Sequence, residues 1–162
     1  MTTQAKILIV DDEEVVRLSY MRILAANRCE VKAVWSWVQV AQAMQQERFD
    51  VVLLDLRMPE MDGMKILKAL KRSWPESEVI IITGYPTLET AKEALSLGAY
   101  DYLTKPVGPD QVIGAANAAM LHKQWALHND ADAQCETSQL PDDSPAVPGR
   151  ASDKPDFQRK LP

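Results

Sequence analysis

At 162 residues, 46% of them hydrophobic, the chain has enough apolar surface for one well-packed domain and is short for two. No segment reaches the roughly eighteen consecutive apolar residues of a membrane span, and the opening MTTQAKILIV is too short an apolar run for a secretory signal, so a cytoplasmic protein without membrane contact is expected. A net charge of −5 with no cluster of Lys and Arg argues against direct nucleic-acid binding, and Cys29 and Cys135 match no metal-ligand spacing, which implies reduced thiols.

In chain order, KILIV reads as a first strand and DEEVVRLSYMRILAAN as a helix. Val15, Leu18, Met21 or Arg22, and Leu24 or Ala25 supply its apolar stripe, and acidic residues in its first turn suit the helix dipole. EVKAV is a second strand, followed by a helix in SWVQVAQAMQQE that opens on Ser36, a good N-cap. VVLLDL is a third strand, apolar on both faces as in a parallel sheet. DGMKILKALKRSW then keeps Ile66, Leu67 and Leu70 on one helical face. EVIIIT is the fourth strand, and TLETAKEALSLGA a helix from Thr87 to a C-terminal cap at Gly98. AYDYL is the fifth strand, and Pro109 opens the last helix, GPDQVIGAANAAMLHKQWALH. Strict alternation of strand and helix implies βαβ crossovers and a doubly wound α/β fold, a five-stranded parallel sheet with five helices on its two faces.

From Asn129 the composition changes. Residues 129–162 hold five of the ten prolines and no apolar period, so the expected organisation is a domain over residues 1–128 and a disordered C-terminal tail over 129–162.

The polar residues fall at strand ends. Asp11 and Asp12 follow the first strand, Asp55 the third, Thr83 closes the fourth, and Lys105 with Pro106 follows the fifth. A parallel sheet brings all of these to one edge, where open α/β folds bind ligands. Three converging carboxylates repel one another unless a cation joins them, and a hard divalent ion with oxygen ligands, Mg²⁺ in a cell, answers that need. Lys105 adds an ammonium and Thr83 a hydroxyl, which makes a pocket suited to a phosphoryl group.

Asp11, Asp12, Asp55, MPEMDG at 58–63, TGY at 83–85 and YLTKP at 102–106 together resemble the receiver domain of bacterial two-component response regulators, a CheY-like domain, in character similar to receivers of the NtrC and FixJ type. The resemblance covers roughly residues 4–128 and implies a strand order of 2-1-3-4-5. It implies that Asp55 is the phosphoacceptor and that the donor is a phosphohistidine on a sensor histidine kinase or a histidine phosphotransfer protein. Asp12 and Asp55 then ligate Mg²⁺ directly with the backbone carbonyl of Arg57, Asp11 acts largely through water, and Lys105 pairs with the phosphoryl oxygens. Thr83 and Tyr102 become the switch pair, and Lys105-Pro106 a cis peptide. It also implies a signalling phosphoacceptor rather than an enzyme, with output in trans, including a homodimer, through the fourth helix, fifth strand and fifth helix.

Other readings of the same residues are weaker. Arg57 stands where an aspartyl hydrolase of the haloacid dehalogenase type needs an acid, and neither a P-loop nor G-x-G-x-x-G is present. The main alternatives are a receiver fragment of a longer transcription regulator or hybrid kinase, and a phosphate sink or intermediate in a relay. Met58, Met61 and Met64 are assigned to packing, His122 and His128 to a solvated helix face, and Trp35, Trp37, Trp74 and Trp125 to half-buried element ends.

Overall fold

The computed structural model describes residues 4–136. The elements are β1 (Lys6–Val10), α1 (Glu14–Ala26), β2 (Glu30–Val34), α2 (Trp37–Gln46), β3 (Val51–Leu54), β4 (Arg57–Met58), β5 (Met61–Asp62), α3 (Gly63–Ser73), β6 (Glu78–Thr83), α4 (Leu88–Ser96), β7 (Asp101–Thr104) and α5 (Pro109–Glu136). Five strands form one sheet in the order β2-β1-β3-β6-β7, every neighbouring pair parallel. Counting these five strands alone, the order is 2-1-3-4-5. The short β4 and β5 form a separate antiparallel hairpin inside the stretch after Asp55.

Alternation along each central strand divides the core in two. Leu8, Val10, Val52, Leu54, Val79 and Ile81 face α2, α3 and α4 through Val40, Ala43, Ile66, Leu67, Leu70 and Ala94. Ile7, Ile9, Val51, Leu53, Ile80 and Ile82 face α1 and α5 through Tyr20, Leu24, Val112, Ala116 and Ala119. With helices covering both faces, β3 and β6 are buried along their whole length, which is why they read as unbroken apolar runs.

Local signals explain the helix ends. Ser36 accepts from the Gln39 amide at 3.3 Å, and the Gln39 side chain returns to the Trp35 amide at 2.9 Å. Ser36→Ala is expected to lower stability by about 1 kcal/mol, read as a shifted urea midpoint with unchanged slope; an unchanged midpoint would show that the Gln39 return bond holds the turn alone. Thr87 and Thr90 form a reciprocal capping box at the start of α4. Gly98, just past the end of α4, has φ +96, a left-handed conformation that glycine adopts without cost.

Three expectations are corrected. The apolar stripe of α1 is partly rotated: Leu24 is buried and Met21 packs against the core as expected, but Val15 is 76% exposed and Leu18 46%, and Tyr20, Val16 and Ile23 pack inward instead. Trp74 is a core residue against Phe49, ring centroids 5.8 Å apart, and Trp125 is 74% exposed rather than half-buried. His122 lies on an exposed helix face as expected, its side chain 58% exposed, while its Nδ1 lies 2.8 Å from the largely buried Glu78 carboxylate and its ring packs on Tyr100. Finally, α5 continues through Asn129 to Glu136, past the boundary expected of a disordered tail. Between Gly114 and Pro141 no glycine or proline interrupts the chain, and Ala, Gln, Lys and Leu are strong helix formers. The rest of the expected tail, residues 137–162, lies outside the described residues.

Candidate functional site

The sheet order reverses between β1 and β3, so a crevice opens beyond their carboxyl ends. The parallel ladder continues one residue past each strand and fixes the loops that leave it. Asp11 donates its amide to Val34 at 3.2 Å, Asp55 to Val10 at 2.9 Å, and Lys105 to Thr83 at 2.9 Å. These bonds set three side chains facing one another. Carboxylate oxygens of Asp11, Asp12 and Asp55 all lie within 4.8 Å of each other, with Asp11 and Asp55 buried and Asp12 exposed.

One ammonium serves this cluster. Lys105 Nζ donates to Asp11 Oδ2 at 2.8 Å, Asp55 Oδ2 at 2.9 Å and Glu13 Oε1 at 3.3 Å. Burial opposes the Lys105 charge, but the bonds to Asp11 and Asp55 outweigh it and hold its pKa well above the ordinary lysine value. Burial also pushes the Asp11 carboxyl above the usual range, against the pull of Lys105 and the Glu13 amide. Against the three aspartates and Glu13, Lys105 is the single ammonium in contact among the described residues. An all-oxygen donor set, close spacing and an open side at Asp12 fit a hard divalent cation such as Mg²⁺.

The remaining predicted residues surround this centre without all touching it. The Arg57 amide donates to Asp55 Oδ1 at 3.0 Å, which turns the chain immediately after the strand, and its guanidinium lies 4.8 Å from the centroid of the Tyr85 ring. Thr83 is fully buried at the end of β6, and its Oγ1 accepts from the Tyr85 amide at 3.3 Å. Tyr102 lies in β7, but its hydroxyl reaches Thr90 Oγ1 on α4 at 2.8 Å and does not join the carboxylates. The Lys105–Pro106 peptide is cis. Glu13, Arg17 and Thr90 all take part in this neighbourhood and were not singled out from the sequence. Glu13, directly after the Asp11–Asp12 pair, was the one with a visible signal.

The model of the response regulator receiver domain matches residues 7–117. The chain belongs to the response regulator receiver family. The receiver is 40% identical over 112 residues to the regulatory protein AtoC of Escherichia coli K12, covering 69% of this chain and 24% of the relative. It is 34% identical over 119 residues to the DNA-binding transcriptional regulator NtrC of Proteus hauseri, covering 74% of this chain and 25% of the relative. Among solved structures, a CheY-like receiver domain protein of Methanospirillum hungatei superposes with TM-score 0.74 at 27% identity, covering 76% of this chain and 99% of that one. NtrX of Brucella abortus superposes with TM-score 0.75 at 29% identity, covering 79% of this chain and 29% of that one.

The receiver thus spans about a quarter of the length of these curated relatives. Relatives named as DNA-binding regulators leave the expectation of no nucleic-acid contact unsupported at the level of the whole protein. Within the receiver, no helix among the described residues is long and apolar enough to cross a membrane.

Proposed function

We propose that the receiver accepts a phosphoryl group on Asp55 from a phosphohistidine on a sensor histidine kinase or histidine phosphotransfer protein in the bacterial cytoplasm, acting as a signalling phosphoacceptor rather than a turnover enzyme. The observation that carries this reading is the placement of one ammonium, Lys105, within 2.9 Å of Asp55 in a cluster of three converging aspartates. In the transfer, an Asp55 carboxylate oxygen forms a bond to phosphorus as the nitrogen–phosphorus bond of the donor breaks. The departing imidazole keeps the electron pair and takes a proton from solvent. Lys105 is already charged and within reach, so it follows the negative charge from the carboxylate to the phosphoryl oxygens. Asp11, Asp12 and Asp55, with the Arg57 carbonyl, would hold Mg²⁺, which when bound neutralises charge on the attacking and transferred oxygens.

The Asp55 phosphoryl group is read out through Thr83 and Tyr102. A phosphoryl oxygen accepting from the Thr83 hydroxyl gives the two conformations different free energies, the requirement for any ligand-driven shift. Tyr102 then exchanges its bond to Thr90 for an inward position, which alters the face of α4, β7 and α5. Output through that face is in trans, to a second copy or another protein. Within a longer regulator such as AtoC or NtrC, of which the receiver covers about a quarter, the same face would act on the remainder of the chain.

Incubation with acetyl phosphate and Mg²⁺ is expected to add one phosphate by intact mass to the wild type. No addition is expected to Asp55→Asn or in the presence of excess chelator. Equal labelling of the wild type and Asp55→Asn would refute Asp55 as acceptor. Beryllofluoride-dependent self-association or partner binding separates a switch from a phosphate sink that only drains a relay.

A further inference from the structure

The receiver places its acidic pair with a residue that touches neither carboxylate. Arg17 lies on α1, and its side chain runs back toward the helix N-terminus, the direction in which helical side chains lean. Its Nη1 donates to the main-chain carbonyl of Asp11 at 2.9 Å and to that of Asp12 at 2.9 Å. The guanidinium carbon lies 4.9 Å from the centroid of the Trp35 ring, at the end of β2. One planar cation is thus held between the back of the acidic loop and an indole just past the neighbouring strand.

Two further observations show why this matters. The start of α1 has no side-chain cap, since Glu13 at the N-cap makes no capping bond. The entry to the helix is therefore held by the Asp11 Oδ1 bond to the Glu13 amide and by Arg17. In addition, Asp12 is exposed, and among the described residues no hydrogen bond orients its carboxylate, in contrast to Asp11 and Asp55. Its place in the cluster is set by its backbone alone. The peptide planes that carry Asp12 are the ones whose carbonyls Arg17 grips.

We propose that Arg17, braced against Trp35, is a positioning residue of the acidic site: it fixes the Asp11–Asp12 backbone so that the Asp12 carboxylate meets those of Asp11 and Asp55, and Mg²⁺ affinity depends on it. The inference rests on the Mg²⁺ reading above. The sign of the effect separates positioning from electrostatics. Removing a nearby positive charge would by itself tighten cation binding, whereas losing the grip on the loop weakens it. Partners that orient metal ligands without touching the metal contribute about 10- to 100-fold to affinity.

The test is calorimetric titration of MgCl₂ into the purified chain at fixed ionic strength, with circular dichroism confirming that each variant is folded. Arg17→Ala is expected to bind Mg²⁺ at least about tenfold more weakly than the wild type. Arg17→Lys, which keeps the charge and can still donate to carbonyls, should fall between them. Where Arg17→Ala fails to fold, Arg17→Lys and Trp35→Leu carry the test, each expected to bind more weakly than the wild type. Unchanged or tighter binding by the folded variants would overturn the proposal even if their stability had dropped. Failure of the wild type to bind Mg²⁺ would instead overturn the metal reading on which it rests.

Discussion

Gly63→Ala is expected to destabilise the receiver by about 3 kcal/mol and to lower its melting temperature by about 10 °C. Gly63 opens α3 directly after its N-cap, Asp62, and α3 starts where the chain doubles back on the segment that carries Asp55. A Cβ on Gly63 would stand 2.5 Å from the Leu56 Cα, 2.8 Å from the Leu56 carbonyl oxygen and 2.9 Å from the Asp55 carbonyl oxygen. All three are backbone atoms, so no rotamer change relieves the contact. Either α3 moves away from the sheet, opening the packing of Ile66 and Leu67, or the Asp55–Leu56 backbone moves and takes the acceptor carboxylate with it. Both routes cost stability, and the second also disturbs the Lys105 contact. Gly114 is the control. It lies within α5 with nothing near its would-be Cβ, so Gly114→Ala should stabilise by roughly 0.5–1 kcal/mol through helix propensity alone. Thermal and urea melts of the two variants check this. A Gly63→Ala protein as stable as the wild type would show that the turn after β5 gives way easily.

The centre of the sheet was legible because β1, β3 and β6 are buried on both sides. EVIIIT and KILIV appear in the structure with the boundaries read from the sequence, since nothing but a two-faced core calls for such runs. The buried face of α1 was harder. Val15 and Val16 are adjacent, so two stripes offset by about 100° both contain apolar residues at helical spacing. The choice between them is made by docking on β2 and α5, a tertiary fact with no local signature. The end of α5 was misplaced for a related reason: acidic residues and distant prolines lowered the apolar average from Asn129, but no glycine or proline lies between there and Glu136, and Ala131, Ala133, Gln134 and Glu136 favour the helix.

At the site, the carboxylates and Lys105 were legible because a parallel sheet delivers every strand's carboxyl end to the same edge. Residues acting through main-chain atoms were not. Arg17 grips two carbonyls, and a carbonyl belongs to every residue, so no pattern of side chains announces the contact. The bond between Thr90 and Tyr102 joins two common hydroxyl-bearing residues across twelve positions, again without a recognisable spacing. It means that the aromatic of the proposed switch is tied to the capping box of α4 through Thr90 Oγ1. Under the proposed switch, movement of Tyr102 would release a hydroxyl that takes part in starting that helix and so link the acidic edge of the sheet to the start of α4.

Lys105→Met should be destabilised by about 3–5 kcal/mol at neutral pH without divalent cations, and Mg²⁺ should recover much of that loss. Methionine keeps the length and packing of the aliphatic stem, so the change isolates the charge. In the wild type the Lys105 side chain is 14% exposed and joins Asp11 and Asp55 side chains that are 3% and 5% exposed. Without the ammonium, two nearly buried carboxylates remain with no cation between them. The pH dependence follows from Asp11, whose folded carboxyl already sits above its ordinary 3.8 because of burial. Removing Lys105, which pulls it down, raises it further. A carboxyl raised in the folded state favours the protonated protein, so its contribution is most favourable below 3.8 and is lost as pH rises through the folded value. The deficit of Lys105→Met relative to the wild type should thus be small in mild acid and grow toward neutrality. A divalent cation replaces the missing positive charge at the same carboxylates and stabilises by mass action on the folded form alone. Urea melts of both proteins across this pH range, with chelator and with saturating Mg²⁺, provide the measurement. A deficit that is the same at every pH and unaffected by Mg²⁺ would mean that Lys105 contributes through its stem, and that the three aspartates do not form one charge-coupled site.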